Sequence, residues 1–303
     1  MNQPLIECKD LSHCYGEKNV LENLSFTVEK GGVFGLLGKN GAGKSTTINI
    51  LMGFLRPSGG QCKVLGEPSH SLSWQARSRI GLLQEGFIQY DFMKIHELES
   101  YFAPFYPLWD RAMFYDLVDK LGVPHTRKLH QLSCGQRSQV VLGLIMAQKP
   151  ELMILDDYSM GLDVGYRRLF IEFLREYVHK YGTTVMLTSH VVQELDHLID
   201  HMIVLDKGQV SISGTKKEFM DTFSCYQFAR TRASEKLGTA MGHQDPGPFF
   251  TLVEHQAAHT RVYGFMDKDQ ARHHLSQLNI APINLEPVDI SFEDAFVGLT
   301  GKY

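Results

Sequence analysis

The chain has 303 residues, enough for one large domain with a small one, or for two domains. Its 43% hydrophobic and 21% charged residues are ordinary for a soluble globular protein, and a net charge of −4 gives no broad basic field for nucleic acid. No apolar run approaches the roughly 18 residues of a membrane span.

The first residues show no basic region followed by an apolar core, so no signal peptide is expected. Residues 4–30 alternate, with Leu24, Phe26 and Val28 on one face and Ser25, Thr27 and Glu29 on the other, the pattern of a half-exposed antiparallel strand. Residues 33–37 form a short apolar run, a buried strand. Beyond Ser45, Ile48, Leu51, Met52 and Leu55 recur at helical spacing. Residues 63–66 read as a short strand and turn, and residues 80–83 as a strand that stops at Gln84. Residues 90–150 carry helical periodicity through Phe114, Leu117, Val118 and Leu121, then Val140, Val141, Leu144 and Ile145. The apolar run 152–155 ends at Asp156 and Asp157. A helix with Leu169, Phe173, Leu174 and Tyr177 follows, then a strand over 183–188.

Residues 203–205 and 210–212, split around Lys207 and Gly208, predict a hairpin. Strands alternating with helices predict an α/β fold with a mostly parallel sheet covered on both faces. The antiparallel pieces at the start and near 203–213 are expected to form an added β layer. Residues 226–248 read as a linker, polar and closed by Asp245-Pro246-Gly247-Pro248. A small α+β module over 249–303 follows, with strands near 249–254, 260–266 and 283–286 and a helix over 267–278.

Five scattered cysteines, without C-x-x-C spacing, read as reduced thiols in a cytosolic compartment. Adjacent His273 and His274 cannot share a helix face, so they do not suggest a metal site.

The chemistry centres on Gly38-Lys39-Asn40-Gly41-Ala42-Gly43-Lys44-Ser45, which fits G-x-x-x-x-G-K-[ST] between a strand and a helix. Glycines let backbone N–H groups turn toward phosphates at close range. The new helix points its positive dipole end at the same anion. Lys44 is placed to reach the β- and γ-phosphates, and Ser45 to ligate Mg²⁺. Asp156, an acid at a strand end after such a loop, is placed to hold the same ion directly or through water.

With these motifs, the chain resembles the ATP-binding cassette (ABC) ATPases. Leu132-Ser133-Cys134-Gly135-Gln136 resembles their L-S-G-G-Q signature. Gln84 matches the Q-loop, Gly161-Leu162-Asp163 the D-loop and His190 the switch histidine. Tyr15 matches the aromatic residue that stacks on adenine. The resemblance covers residues 4 to about 215 and implies a P-loop NTPase fold over 1–225, with a helical subdomain at about 87–150. Tail residues 290–296 and 299–301, with Phe105-Tyr106-Pro107 and Trp109-Asp110, are similar to ABC-2-type exporter ATPases.

The resemblance implies ATP and Mg²⁺ as ligands, held by Tyr15, Gly38, Asn40, Gly41, Gly43, Lys44, Ser45 and Thr46. It implies Ser45, Gln84 and Asp156 around the metal, with Asp157, His190 and Gln84 as the catalytic set. Ser133, Gly135 and Gln136 would complete the ATP site of a second, head-to-tail ATPase subunit, homo- or heterodimeric. A separate transmembrane permease docked near 87–130 is the expected partner, with the chain cytoplasmic and peripheral on the inner face of the membrane.

Two departures stand out. Cys134 replaces the first signature glycine. Asp157 stands where the family has Glu, one methylene and about 1.5 Å shorter, and Tyr158 stands where Pro is usual. A base must reach its water, so an ATP-gated clamp with very slow hydrolysis is the alternative function. A soluble ABC protein of translation or DNA repair is disfavoured, since neither a second cassette nor a long coiled coil is present. No N-K-x-D motif points to a GTPase.

Overall fold

A computed structural model of the chain describes residues 3–84, 90–159, 162–189, 191–237 and 249–301. Strands β1 (Ile6–Tyr15) and β2 (Lys18–Val28) open it, and β3 (Val33–Gly38) leads into helix α1 (Lys44–Leu51). Next come β4 (Gly59–Val64), β5 (Glu67–Pro68), α2 (Trp74–Arg77) and β6 (Ile80–Leu83). Three helices follow, α3 (Ile95–Phe102), α4 (Arg111–Lys120) and α5 (Cys134–Ala147). After them run β7 (Leu152–Leu155), α6 (Val164–Tyr181), β8 (Thr184–Leu187), α7 (Val192–Leu195), β9 (His201–Asp206) and β10 (Gln209–Thr215). The remainder is α8 (Lys216–Thr222), β11 (Phe223–Ala229), β12 (Leu252–His255), β13 (His259–Phe265), α9 (Lys268–Gln277), β14 (Glu286–Val288) and α10 (Phe292–Thr300). None of the described helices is long and apolar enough to cross a membrane.

These elements form two compact units, Met1–Val191 with His197–Ser213, and Val192–Asp196 with Gly214–Tyr303. The first holds a six-stranded sheet in the order β10-β9-β3-β8-β7-β6 and an antiparallel sheet in the order β2-β1-β4-β5. Neighbours from β9 to β6 pair in parallel. Every residue of β7 and β8 is buried, as expected of parallel strands covered on both faces. Leu36, Ile154, Met186 and Ile203 of this sheet share one core with Ile48 and Leu51 of α1 and with Leu11 and Leu24 of the antiparallel sheet. Each such side chain contributes about 1.5–3 kcal/mol by leaving water. Phe114 and Val118 of α4 pack with Val140 and Leu144 of α5 in a separate helical cluster.

The hairpin near 203–213 belongs to the main sheet, and not to an added β layer. β9 pairs in parallel with β3, from Phe34 opposite His201 to Gly38 opposite Leu205. Its residues 202–205 are all buried, which suits an interior strand and not a half-exposed edge.

In the second unit the sheet order is β12-β13-β11-β14. β11, in sequence the end of the cassette and the start of the linker, pairs with both β13 and β14. Ala271 and Leu275 of α9 pack with Phe228, Val253 and Val262. Residues 238–248 of the linker reading lie outside the described residues.

Candidate functional site

The site begins where β3 leaves the sheet. Gly38 has φ +148, and a Cβ there would stand 2.5 Å from the Leu205 carbonyl oxygen on β9. Gly43 caps α1 with φ +105, and its Cβ would stand 2.5 Å from Leu21 Cδ2 on β2. Neither position admits a side chain without moving a neighbour, so glycine is required for packing as well as for phosphate approach. Lys44 is buried in the first turn of α1. Its Nζ donates to the carbonyls of Gly38 at 2.7 Å and Lys39 at 3.1 Å, so the loop itself holds the ammonium group at its mouth.

The acids arrive from β7, the strand two places away. Asp156 N–H donates to Leu83 O at 2.8 Å, which extends the parallel ladder by one residue. The Thr188 hydroxyl, just past β8, donates to Asp156 Oδ1 at 2.8 Å and accepts from Asp157 N–H at 2.8 Å. Both acids are buried, and Asp157 has a left-handed backbone at φ +46.

A cavity of about 470 Å³, within the range of small-molecule sites, opens between loop and acids. Tyr15, Asn40, Lys44, Ser45, Asp156 and Asp157 line it, with Gly41, Gly43 and Thr46 of the loop. Tyr15 is half exposed at the end of β1, with its ring edge-on to His13 at 4.7 Å. The Ser45 hydroxyl and the Asp156 carboxylate are oxygen donors on one cavity. Such a pair suits a hard divalent cation that draws its other ligands from water and phosphate.

Other described site candidates are not among the lining residues. Gln84 stands at the end of β6 with its amide on Asn49 Oδ1 at 3.4 Å and does not line the cavity. Ser133 caps α5 in a reciprocal pair: its hydroxyl accepts from Gln136 N–H at 3.2 Å, and Gln136 Oε1 accepts from Ser133 N–H at 3.1 Å. Gly135 is buried beneath Tyr166, whose ring atoms would stand 2.2 Å from any Cβ. His190 and Gly161 lie outside the described residues, while Asp163 caps α6 by accepting from Tyr166 N–H at 2.9 Å. Sequence reasoning passed over Thr188 and Ser189, which line the cavity. The available signal was a pair of hydroxyl residues directly after the apolar run 185–187.

Comparison with known proteins points the same way. The ABC transporter family profile matches residues 21–159. Nod factor export ATP-binding protein I of Sinorhizobium fredii is 32% identical over 98% of this chain and 86% of its own length. Linearmycin resistance ATP-binding protein LnrL of Bacillus subtilis is 26% identical over 98% of this chain and 99% of its own length. A solved ATP-binding subunit of an ABC transporter is 26% identical, with a TM-score of 0.64 over 72% of this chain and 92% of that one. A dimeric ATP-binding cassette bound to ADP and Pi shares the fold, with a TM-score of 0.61 at 20% identity over 69% of this chain and 98% of that one.

Proposed function

Because this chain belongs to the ATP-binding subunits of ABC transporters, we propose that it binds MgATP in the cavity beside Lys44, dimerises on it and hydrolyses it to drive a separate membrane permease. The observation that carries this reading is the convergence of Tyr15, Lys44, Ser45, Asp156 and Asp157, from three separate stretches of chain, on one cavity. Lys44 and the loop amides neutralise phosphate charge. Tyr15 offers a ring to adenine. Ser45 and Asp156 would hold Mg²⁺, with Gln84 joining them once its amide leaves Asn49, and the ion would offset the charge that develops on the phosphate oxygens. Asp157 accepts the proton of the attacking water, and His190 orients that water. Ser133 and Gly135 serve the ATP of a second subunit.

An exporter-type permease is the partner that the relatives suggest, since their names concern Nod factor export and linearmycin resistance. This arrangement puts the chain on the cytoplasmic side of the membrane. The permease claim predicts that the tagged chain co-purifies with a membrane protein from detergent extracts. The clamp reading rests on the short Asp157 side chain, and turnover separates it from the first.

The nucleotide site is tested by Lys44→Ala. The loss of the ammonium group that its own loop holds in place should abolish MgATP binding in a calorimetric titration. An unchanged affinity would overturn the assignment of this cavity.

A further inference from the structure

We propose that Thr188 is a positioning residue for hydrolysis: one buried hydroxyl fixes both acids of the cavity, and Tyr158 permits the left-handed backbone in which Asp157 is pinned. The proposal rests on the reading of Asp157 as the base.

A hydroxyl has one proton and two lone pairs, so the direction of each bond is set. The proton of Thr188 goes to Asp156 Oδ1, and a lone pair takes the Asp157 N–H, both at 2.8 Å. Thr188 is 1% exposed, so water offers little competition. Up to this point the β7–β8 ladder is regular, with Thr188 N–H on Leu155 O at 2.9 Å. At Asp157 the amide meets a side chain, and the backbone turns to φ +46.

A left-handed backbone is unfavourable for any residue with a Cβ, least so for Asp and Asn. A proline at 158 would push residue 157 into the extended region. Tyr158 imposes no such limit. It is buried, with its ring stacked on Phe170 at 5.0 Å and 20°. A second hydroxyl contact, Ser159 to Ser189 at 3.1 Å, ties the same two loops slightly further on. Ser189 also accepts from Val191 N–H at 3.0 Å, on the far side of His190. The turn of the backbone, together with side-chain length, therefore aims the Asp157 carboxylate. An added methylene would disturb a site set for the shorter acid, so Asp157→Glu should slow turnover.

The test uses the full-length chain and two readouts, phosphate release at saturating MgATP and nucleotide affinity measured with Mg²⁺ and with EDTA. Thr188→Val keeps the shape and removes the hydroxyl. It should lower kcat by about ten- to a hundredfold, the effect of an ångström-scale misplacement. It should also shrink the gain in affinity that Mg²⁺ brings and leave the EDTA affinity in place, which shows the site still folded. Thr188→Ser should restore both readouts, and Thr188→Ala, should the valine variant misfold, should repeat its losses. Asp157→Asn serves as the reference. If it stops turnover while Thr188→Val matches wild type in both readouts, the positioning role is overturned. If Asp157→Asn leaves turnover unchanged, the base reading fails, and with it the part of the proposal that concerns Asp157. Faster turnover in Asp157→Glu would also contradict it.

Discussion

Gly135 answers to its own chain before any second subunit is considered. Its Cα lies under Tyr166, so a methyl group there would strike the ring. Cys134, one residue earlier, is exposed at the start of α5. The two signature positions therefore differ in what they tolerate, which explains how a side chain fits at 134. Gly135→Ala should lower stability by about 1–3 kcal/mol, the usual cost of overpacking. Denaturant unfolding checks it, and in a Tyr166→Ala background most of that loss should vanish, because the two positions couple through one contact. Cys134→Ser should stay within about 0.5 kcal/mol of wild type. The residues of the phosphate loop were legible in sequence because loop chemistry constrains spacing tightly. The Tyr166 contact was not, since it joins two helices about thirty positions apart through ring packing that leaves no local pattern.

At the level of elements, α5 begins with a cap to which the proposed function gives a second use. Ser133 and Gln136 satisfy each other's backbone N–H groups, a capping box that secures the helix start in the single chain. The proposed contact with a second subunit's ATP calls on the same Ser133 hydroxyl. Ser133→Ala should therefore lower stability by about 1 kcal/mol and also weaken ATP-driven dimerisation. Ser133→Asn keeps a good cap, so stability should stay within about 0.5 kcal/mol of wild type, while dimerisation by light scattering still suffers. Equal dimerisation by Ser133→Asn and wild type would argue against the shared role. The strands β3, β6, β7 and β8 could be read from apolar runs alone. The place of β9 could not, because turn residues announce a hairpin without saying which sheet receives it. β11 likewise runs into the start of the linker reading, yet pairs with strands far along the chain.

On the scale of the whole chain, the two units divide at a point that sequence order hides. Residues 192–196 follow the loop of Thr188 and Ser189 directly but belong to the second unit. Within that unit, Gln193 donates to Glu293 on α10, and Lys216 pairs with Asp196 at 3.1 Å. A hydrogen bond spanning a hundred positions cannot be read from periodicity. The nucleotide chemistry, in contrast, was readable because each motif is local and only their order is long-range. If the signature serves a partner's ATP, slow-hydrolysis conditions with ATP should give a compact dimer that ADP does not, alone or with a second ATPase chain added. The central claim is that this chain turns over ATP with Asp157 as its base. Steady-state phosphate release by the full-length chain, wild type beside Asp157→Asn, with nucleotide binding measured on the same samples, tests it most directly. The account predicts release by wild type and its loss in Asp157→Asn with MgATP still bound; equal release by both proteins, or none by wild type at full nucleotide occupancy, would contradict it.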